Sequence, residues 1–107
     1  MKILIIEDDI DTSGYLADRL KENCFAVDCA ADGTTAVQMA RSSDYDLILL
    51  DYALPKKDGL AVCREIRSQD HPIRKDTPII MISVTQEVEH KVQALDSGID
   101  DYVTKPF

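Results

Sequence analysis

Residues 47–51 read LILLD, four apolar residues in a row that stop at the carboxylate of Asp51. Three further apolar runs end in the same way, each at a different polar residue: ILII (3–6) at Glu7, IIMI (79–82) at Ser83, and YVT (102–104) at Lys105. Apolar runs without alternation are typical of parallel strands that are covered on both faces. Because the carboxyl ends of parallel strands form the ligand-binding edge of open α/β folds, we expect these four polar residues to share one crevice.

The composition limits both the size and the partners of this chain. Its 107 residues allow one domain with one core, and 20 acidic against 12 basic residues give a net charge of −8. This acidic domain has no basic stripe for a phosphate backbone, so DNA contact requires a separate output domain. Short apolar runs and the lack of a signal-peptide pattern predict a cytoplasmic protein without a membrane segment. The spacing of Cys24, Cys29 and Cys63 predicts reduced, partly buried thiols.

Strand-like runs alternate with amphipathic stretches along the whole chain, in the order βαβαβαβαβ. Leu16 and Leu20 give the first helix its spacing, whereas Gly14 inside it costs about 1 kcal/mol relative to Ala. With the strand order 2-1-3-4-5, right-handed crossovers put the first helix on one face of the sheet and the others on the opposite face. The predicted strands are 2–6, 25–30, 46–50, 78–82 and 101–104, and the predicted helices are 12–23, 33–42, 59–69 and 86–97.

Acidic residues follow the first and the third strands, which this strand order makes neighbours. Glu7, Asp8 and Asp51 then converge, and like charges that meet repel one another unless a cation joins them. Ligand sets made only of oxygen suit Mg²⁺, so a magnesium site is predicted. An acidic run taken alone is more typical of a solvated loop with helix caps, and that interpretation stays open for Asp9.

The remaining strand endings supply what phosphoryl chemistry needs. Beside a metal, Asp51 is positioned to act as a nucleophile toward phosphorus. Lys105 offers a compact positive charge and Ser83 a hydrogen-bond donor to phosphoryl oxygens, and positioning with charge neutralisation is most of what phosphoryl transfer requires. Together, the four endings indicate a phosphoryl-accepting site.

The order of these residues is a family pattern, in the form Glu7-Asp8, Asp51, Ser83 and Lys105-Pro106. At these residues, and in LILLDYALPKKDGL (47–60) and GIDDYVTKPF (98–107), the chain resembles the receiver domain of response regulators in two-component signalling. The resemblance implies a flavodoxin-like, doubly wound three-layer α/β sandwich with a five-stranded parallel sheet of order 2-1-3-4-5. It covers residues 1–107 as one receiver domain. The usual last helix is absent from this chain, so we expect a truncated or partly resolved domain, or one completed by a partner.

The resemblance also implies specific roles. Asp51 accepts a phosphoryl group from a sensor histidine kinase, with Lys105 and Ser83 beside it. Mg²⁺ is held by Asp8, Asp51 and the backbone carbonyl of Ala53, with Glu7 acting through water. The family is not one of enzymes acting on a separate substrate, so self-phosphotransfer and slow autodephosphorylation are the only reactions expected.

Phosphorylation is expected to switch the surface of the fourth helix and the fifth strand. Ser83 would move toward the phosphoryl group while Tyr102 turns inward, although an edge-strand aromatic packed for β propensity is the alternative for Tyr102. The C-terminal residues resemble the subfamily with winged-helix DNA-binding output domains, which forms homodimers on phosphorylation. Lys91 and Asp101 are candidates for ion pairs in such a dimer, and an ordinary solvated face is the alternative.

Two other functional classes fit the residues less well. Phosphatases with an aspartate nucleophile need a second acid two residues after it, a position held here by Ala53. A nucleotide binder needs a glycine-rich or hydroxyl-rich phosphate loop, whereas the acids after the first strand would repel a phosphate without metal. The open alternative is a receiver-like interaction module that works without phosphorylation.

Overall fold

Five parallel strands form one sheet in the order β2-β1-β3-β4-β5. This architecture is taken from a computed structural model that describes residues 1–51, 54, 59–67, 77–83 and 101–104, with the backbone alone for Ser83 and residues 101–104. The strands are β1 (Lys2–Ile6), β2 (Ala26–Ala30), β3 (Leu47–Asp51), β4 (Ile79–Ser83) and β5 (Asp101–Thr104), and the described helices are α1 (Ile10–Glu22), α2 (Gly33–Ser42) and α3 (Gly59–Arg67). The predicted sheet and strand order are confirmed, and the helix predicted over 86–97 lies outside the described residues.

The described helices cover the two faces of the sheet unequally. On one face, α2 and α3 bury a continuous core that includes Leu4, Ile48 and Val62. On the other, α1 packs Leu16, Ala17 and Leu20 on β1, as the leucine spacing predicted. β1 is buried on both faces, but Leu47 and Leu49 of β3 are only half-buried on the face of α1. Coverage of both faces, predicted for all three apolar runs, is therefore complete for β1 and partial for β3.

α1 begins at Ile10, two residues before the predicted start, because Asp9 caps it. The Asp9 carboxylate accepts hydrogen bonds from the Asp11 amide at 3.3 Å and from the Thr12 hydroxyl at 2.5 Å. Such bonds satisfy donors that the first turn of a helix leaves without partners. The interpretation of Asp9 as a capping residue is confirmed.

α1 ends in a tight reversal centred on Cys24. The Cys24 amide donates to the Lys21 carbonyl at 3.0 Å and the Phe25 amide to the Leu20 carbonyl at 3.2 Å, the bond pattern of a Schellman motif. Cys24 has φ 67°, the left-handed region in which glycine is usual. The cysteines are free as predicted, but Cys24 and Cys29 are exposed because both lie outside the core, and only Cys63 is buried.

A polar network links the amino ends of β1 and β3 to the middle of β2. We call its members, Lys2, Asp28, Tyr45 and Asp46, the amino-edge cluster. The Tyr45 hydroxyl donates to Asp28 Oδ2 at 2.7 Å, and Lys2 Nζ lies 3.6 Å from the same oxygen. The Lys2 amide donates to Asp46 Oδ2 at 2.8 Å, so both acids have partners within the cluster.

No helix among the described residues is long and apolar enough to cross a membrane.

Candidate functional site

Strand register aligns the polar endings along one edge of the sheet. Ile6 of β1 pairs with Leu50 of β3, so the residues that follow them, Glu7 and Asp51, occupy the same level. Asp51 in turn pairs with Ile82 of β4, the residue before Ser83. Because all these strands are parallel, their carboxyl ends meet at this edge, as in the ligand-binding crevice of open α/β folds.

Three carboxylates converge at this edge, and we call Glu7, Asp8 and Asp51 the carboxyl-edge cluster. One carboxylate oxygen from each lies within 4.8 Å of the others. The side chains differ in environment, since Glu7 and Asp51 are only 4% and 5% exposed whereas Asp8 is exposed. Two acids of the cluster are therefore buried, and the third lies at the solvent boundary.

Hydrogen bonds from two backbone amides hold the turn that carries two of these acids. The Glu7 amide donates to the Ala30 carbonyl of β2 at 3.0 Å, which continues the sheet ladder one residue past β1. The Asp9 amide donates to Glu7 Oε1 at 3.3 Å. This second contact is one that sequence reasoning missed, and its only signal was an acid immediately before a helical pattern.

The donor set of the cluster fits a hard divalent cation. All three side chains offer oxygen, and Mg²⁺ binds through one or two carboxylates while it keeps several waters. The exposed Asp8 leaves room for those waters at the solvent side. Three anions this close also repel one another, so a bound cation would lower the energy of the arrangement.

Of the other predicted site residues, three lie on described strands and three lie outside the described residues. Ser83 and Thr104 pair at the ends of β4 and β5, which places Ser83 at the same sheet edge, and Lys105 follows Thr104 in the sequence. Tyr102 and Asp101 lie on β5, in register with Met81 and Ile80. Ala53, Lys91 and Lys105 lie outside the described residues, so their roles stay predictions.

Known proteins are similar to this sequence across its whole length. The family model described as "Response regulator receiver domain" matches residues 3–107. The "Probable transcriptional regulatory protein SilR" of Salmonella typhimurium is 42% identical over 107 residues, which are 100% of this chain and 45% of that protein. The transcriptional regulatory protein CusR of Escherichia coli K12 is 41% identical with the same coverage. The chain therefore spans about half the length of the curated relatives it matches.

Solved structures share the fold and bear on its site. The receiver domain of sensor histidine kinase PA1611 from Pseudomonas aeruginosa has magnesium coordinated in its active-site cleft; it is 34% identical with a TM-score of 0.87 over 99% of this chain and 85% of that one. A response regulator protein from Burkholderia pseudomallei with a phosphorylated aspartic acid is 25% identical with a TM-score of 0.90 over 99% of this chain and 60% of that one. The match over residues 3–107 shows that this chain belongs to the family of response regulator receiver domains.

Proposed function

We propose that this domain is the phosphoacceptor switch of a two-component system, with Asp51 as the acceptor and a sensor histidine kinase as the donor. The observation that carries the proposal is the carboxyl-edge cluster, in which oxygens of Glu7, Asp8 and Asp51 lie within 4.8 Å of one another. Asp51 is the last residue of β3 and is buried, so its carboxylate stands on a rigid element. Rigid placement of the reacting group is a large part of phosphoryl-transfer catalysis.

Mg²⁺ is the cation that we assign to the cluster. Asp8, Asp51 and the carbonyl of Ala53 would hold it, with Glu7 acting through water, as the resemblance to receiver domains implies. When bound, the metal neutralises charge on the transferring phosphoryl oxygens and offsets the repulsion between the carboxylates. Magnesium in the active-site cleft of the PA1611 receiver domain supports this assignment.

In the transfer step, one Asp51 oxygen forms a bond to phosphorus while the bond from phosphorus to the kinase histidine nitrogen breaks. The histidine nitrogen keeps the bonding electron pair, and the ring leaves as neutral imidazole with one proton, which it takes up from the solvent where the second ring nitrogen does not already carry it. Lys105 and Ser83 would stabilise the phosphoryl oxygens by charge and by hydrogen bonding. The phosphorylated aspartic acid of the Burkholderia pseudomallei protein supports an aspartate acceptor.

We infer that the structural change caused by phosphorylation reaches the surface through β4 and β5. Ser83 ends β4, and its register partner Thr104 lies two residues after Tyr102 on β5. Movement of Ser83 toward the phosphoryl group and of Tyr102 inward would thus affect adjacent strands. A homodimer on phosphorylation, with Lys91 and Asp101 in its interface, is part of the same proposal.

The output that we propose is control of transcription in the cytoplasm. The relatives SilR and CusR are named as transcriptional regulators and are about twice as long as this chain, which leaves room for a separate DNA-binding domain in a protein of that length. A winged-helix output domain is the type that the sequence predicts. The second candidate function, interaction without phosphorylation, keeps the same fold and differs only in whether Asp51 reacts.

The decisive experiment is phosphorylation followed by intact-mass measurement. The protein is incubated with Mg²⁺ and a small acyl phosphate donor, and separately with a phosphorylated histidine kinase. We expect one added phosphoryl group, its loss in Asp51→Asn, and its retention in Asp44→Asn, an exposed acid before β3. Slow loss of the group from purified protein is also expected, because Ala53 and Thr85 offer no carboxylate to position a water.

Two results would overturn this proposal. Uptake that persists in Asp51→Asn would place the phosphoryl group on another residue. Failure of the wild-type protein to accept a group from either type of donor would favour the phosphorylation-independent module.

A further inference from the structure

Asp9 connects the carboxyl-edge cluster to the first helix through four hydrogen bonds. Its amide donates to Glu7 Oε1 at 3.3 Å, and its carbonyl accepts from the Ser13 amide at 3.0 Å. Its carboxylate accepts from the Asp11 amide at 3.3 Å and from the Thr12 hydroxyl at 2.5 Å. One residue therefore both starts α1 and contacts a carboxylate of the site.

The turn between β1 and α1 is short enough for this connection to control its shape. Only Glu7, Asp8 and Asp9 separate Ile6, the last residue of β1, from Ile10, the first of α1. The Glu7 amide is fixed to the Ala30 carbonyl at one end, and the Asp9 cap is fixed to α1 at the other. Asp8, the exposed acid of the cluster, is therefore presented by a turn that is held on both sides.

We propose that Asp9 is a positioning residue for the metal site: its capping carboxylate fixes the turn that presents Asp8 and orients Glu7, and so sets the affinity for Mg²⁺. This inference rests on the proposed function, since it assumes that the cluster binds Mg²⁺. Groups that orient metal ligands without touching the metal commonly change metal affinity by about 10- to 100-fold when they are removed.

Charge is the competing explanation for any effect of Asp9. A fourth acid beside three carboxylates attracts a cation through its negative charge alone, whatever its hydrogen bonds. Asn separates the two explanations, because it caps helices about as well as Asp but carries no charge. Positioning predicts that Asn preserves the affinity, whereas attraction by charge predicts that Asn and Ala weaken it equally.

α2 provides a matched control for the loss of a helix cap. Asp32 caps α2 as Asp9 caps α1, and its carboxylate accepts from the Thr35 amide at 2.8 Å. Asp32 follows β2, the edge strand, whereas the metal cluster is built from the ends of β1 and β3. Replacement of Asp32 by Ala should therefore lower the unfolding midpoint about as much as the same change at Asp9, with no effect on Mg²⁺.

The test is a titration with Mg²⁺ alone, monitored through the backbone amide signals in NMR spectra. The same spectra report whether each variant is folded. Relative to wild type, we expect about tenfold weaker binding in Asp9→Ala, a change of less than about twofold in Asp9→Asn, and no change in Asp32→Ala. If Asp9→Ala does not fold, Asp9→Gly replaces it with the same expectation, since glycine is tolerated at the cap position.

The outcomes separate this inference from the function on which it rests. Wild-type protein that does not bind Mg²⁺ would overturn both. Wild-type binding together with unchanged affinity in Asp9→Ala would overturn only the positioning role. Equal weakening in Asp9→Ala and Asp9→Asn would assign the effect to charge, and weakening in Asp32→Ala would show that any lost cap is enough.

Discussion

The two polar clusters of this domain lie at opposite ends of β1 and β3 and are composed differently, and the amino-edge cluster also includes Asp28 from the middle of β2. In the amino-edge cluster, the carboxylate of Asp28 receives the Tyr45 hydroxyl at 2.7 Å and lies 3.6 Å from Lys2 Nζ. In the carboxyl-edge cluster, three carboxylates lie within 4.8 Å of one another. Among the described residues, one cluster mixes donors, acceptors and a cation, whereas the members of the other are all acids.

This difference separates a structural network from a reactive site. Buried polar groups that satisfy one another hold strands together and are common in stable folds. Like charges brought together oppose folding, and such arrangements concentrate at functional sites where a ligand relieves them. We therefore expect the amino-edge cluster to stabilise the protein equally with and without a divalent cation, and the carboxyl-edge cluster to do so mainly with one.

Mg²⁺ should have the largest effect on the free energy of unfolding, and it should act only through the carboxyl-edge cluster. At a concentration 100 times the dissociation constant, a ligand that binds the folded state alone raises the free energy of unfolding by about 2.7 kcal/mol. Asp8→Asn removes a proposed direct ligand, so most of this gain should be lost at the same concentration. Urea unfolding of both proteins with Mg²⁺ and with EDTA measures the difference.

In EDTA, the same variant should be as stable as wild type or slightly more stable, because one of three like charges is gone. A loss of stability with Mg²⁺, together with no loss in EDTA, is therefore the result that distinguishes the carboxyl-edge cluster from the amino-edge cluster. Equal destabilisation of Asp8→Asn in both buffers would mean that Asp8 has a structural role.

Tyr45→Phe, in the amino-edge cluster, should have the next largest effect on the free energy of unfolding. The variant removes one hydrogen bond to a charged acceptor while it keeps the ring in the core, and such bonds contribute about 1.5–3 kcal/mol. Asp28 is 40% exposed, so water can replace the lost donor and the lower figure is expected. The loss should be the same with Mg²⁺ and with EDTA, as measured by urea unfolding.

Tyr15→Phe is the matched control, because Tyr15 is exposed and its described partner, Arg19, lies over the ring at 5.4 Å.

The Tyr45 hydroxyl also makes the stability of the protein depend on pH. Burial, and then the hydrogen bond to Asp28, raise the pKa of the Tyr45 hydroxyl above its ordinary value near 10. The stability that this pKa shift contributes is therefore fully present below about pH 10. Above that, the unfolded chain loses a proton that the folded protein keeps, so stability falls by about 1.4 kcal/mol per pH unit. Unfolding between pH 8 and 11 should show a shallower decline in Tyr45→Phe, and parallel declines would contradict the assignment.

The edges of the sheet were predictable from the sequence to different degrees. The apolar runs ending at Glu7 and Asp51 predicted the carboxyl edge, because an uninterrupted apolar run followed by an acid defines both the strand and its end. The amino-edge cluster was missed, since Asp28 and Tyr45 are separated by 17 residues and nothing local indicates that they meet. The left-handed Cys24 was missed for a related reason, because that position usually shows a glycine.

Gly14→Ala should give the smallest effect and tests whether the two edges are independent. The sequence predicted that this glycine weakens α1, and a Cβ added there meets no atom within 4 Å. Alanine should therefore stabilise the protein by about 0.8–1 kcal/mol through helix propensity alone. The gain should be equal with Mg²⁺, with EDTA and in the Tyr45→Phe background, because changes at distant sites without shared partners add. A gain that grew with Mg²⁺ would instead mean that order in α1 is passed through the Asp9 cap to the acids, so that helix stability and metal affinity are one linked property.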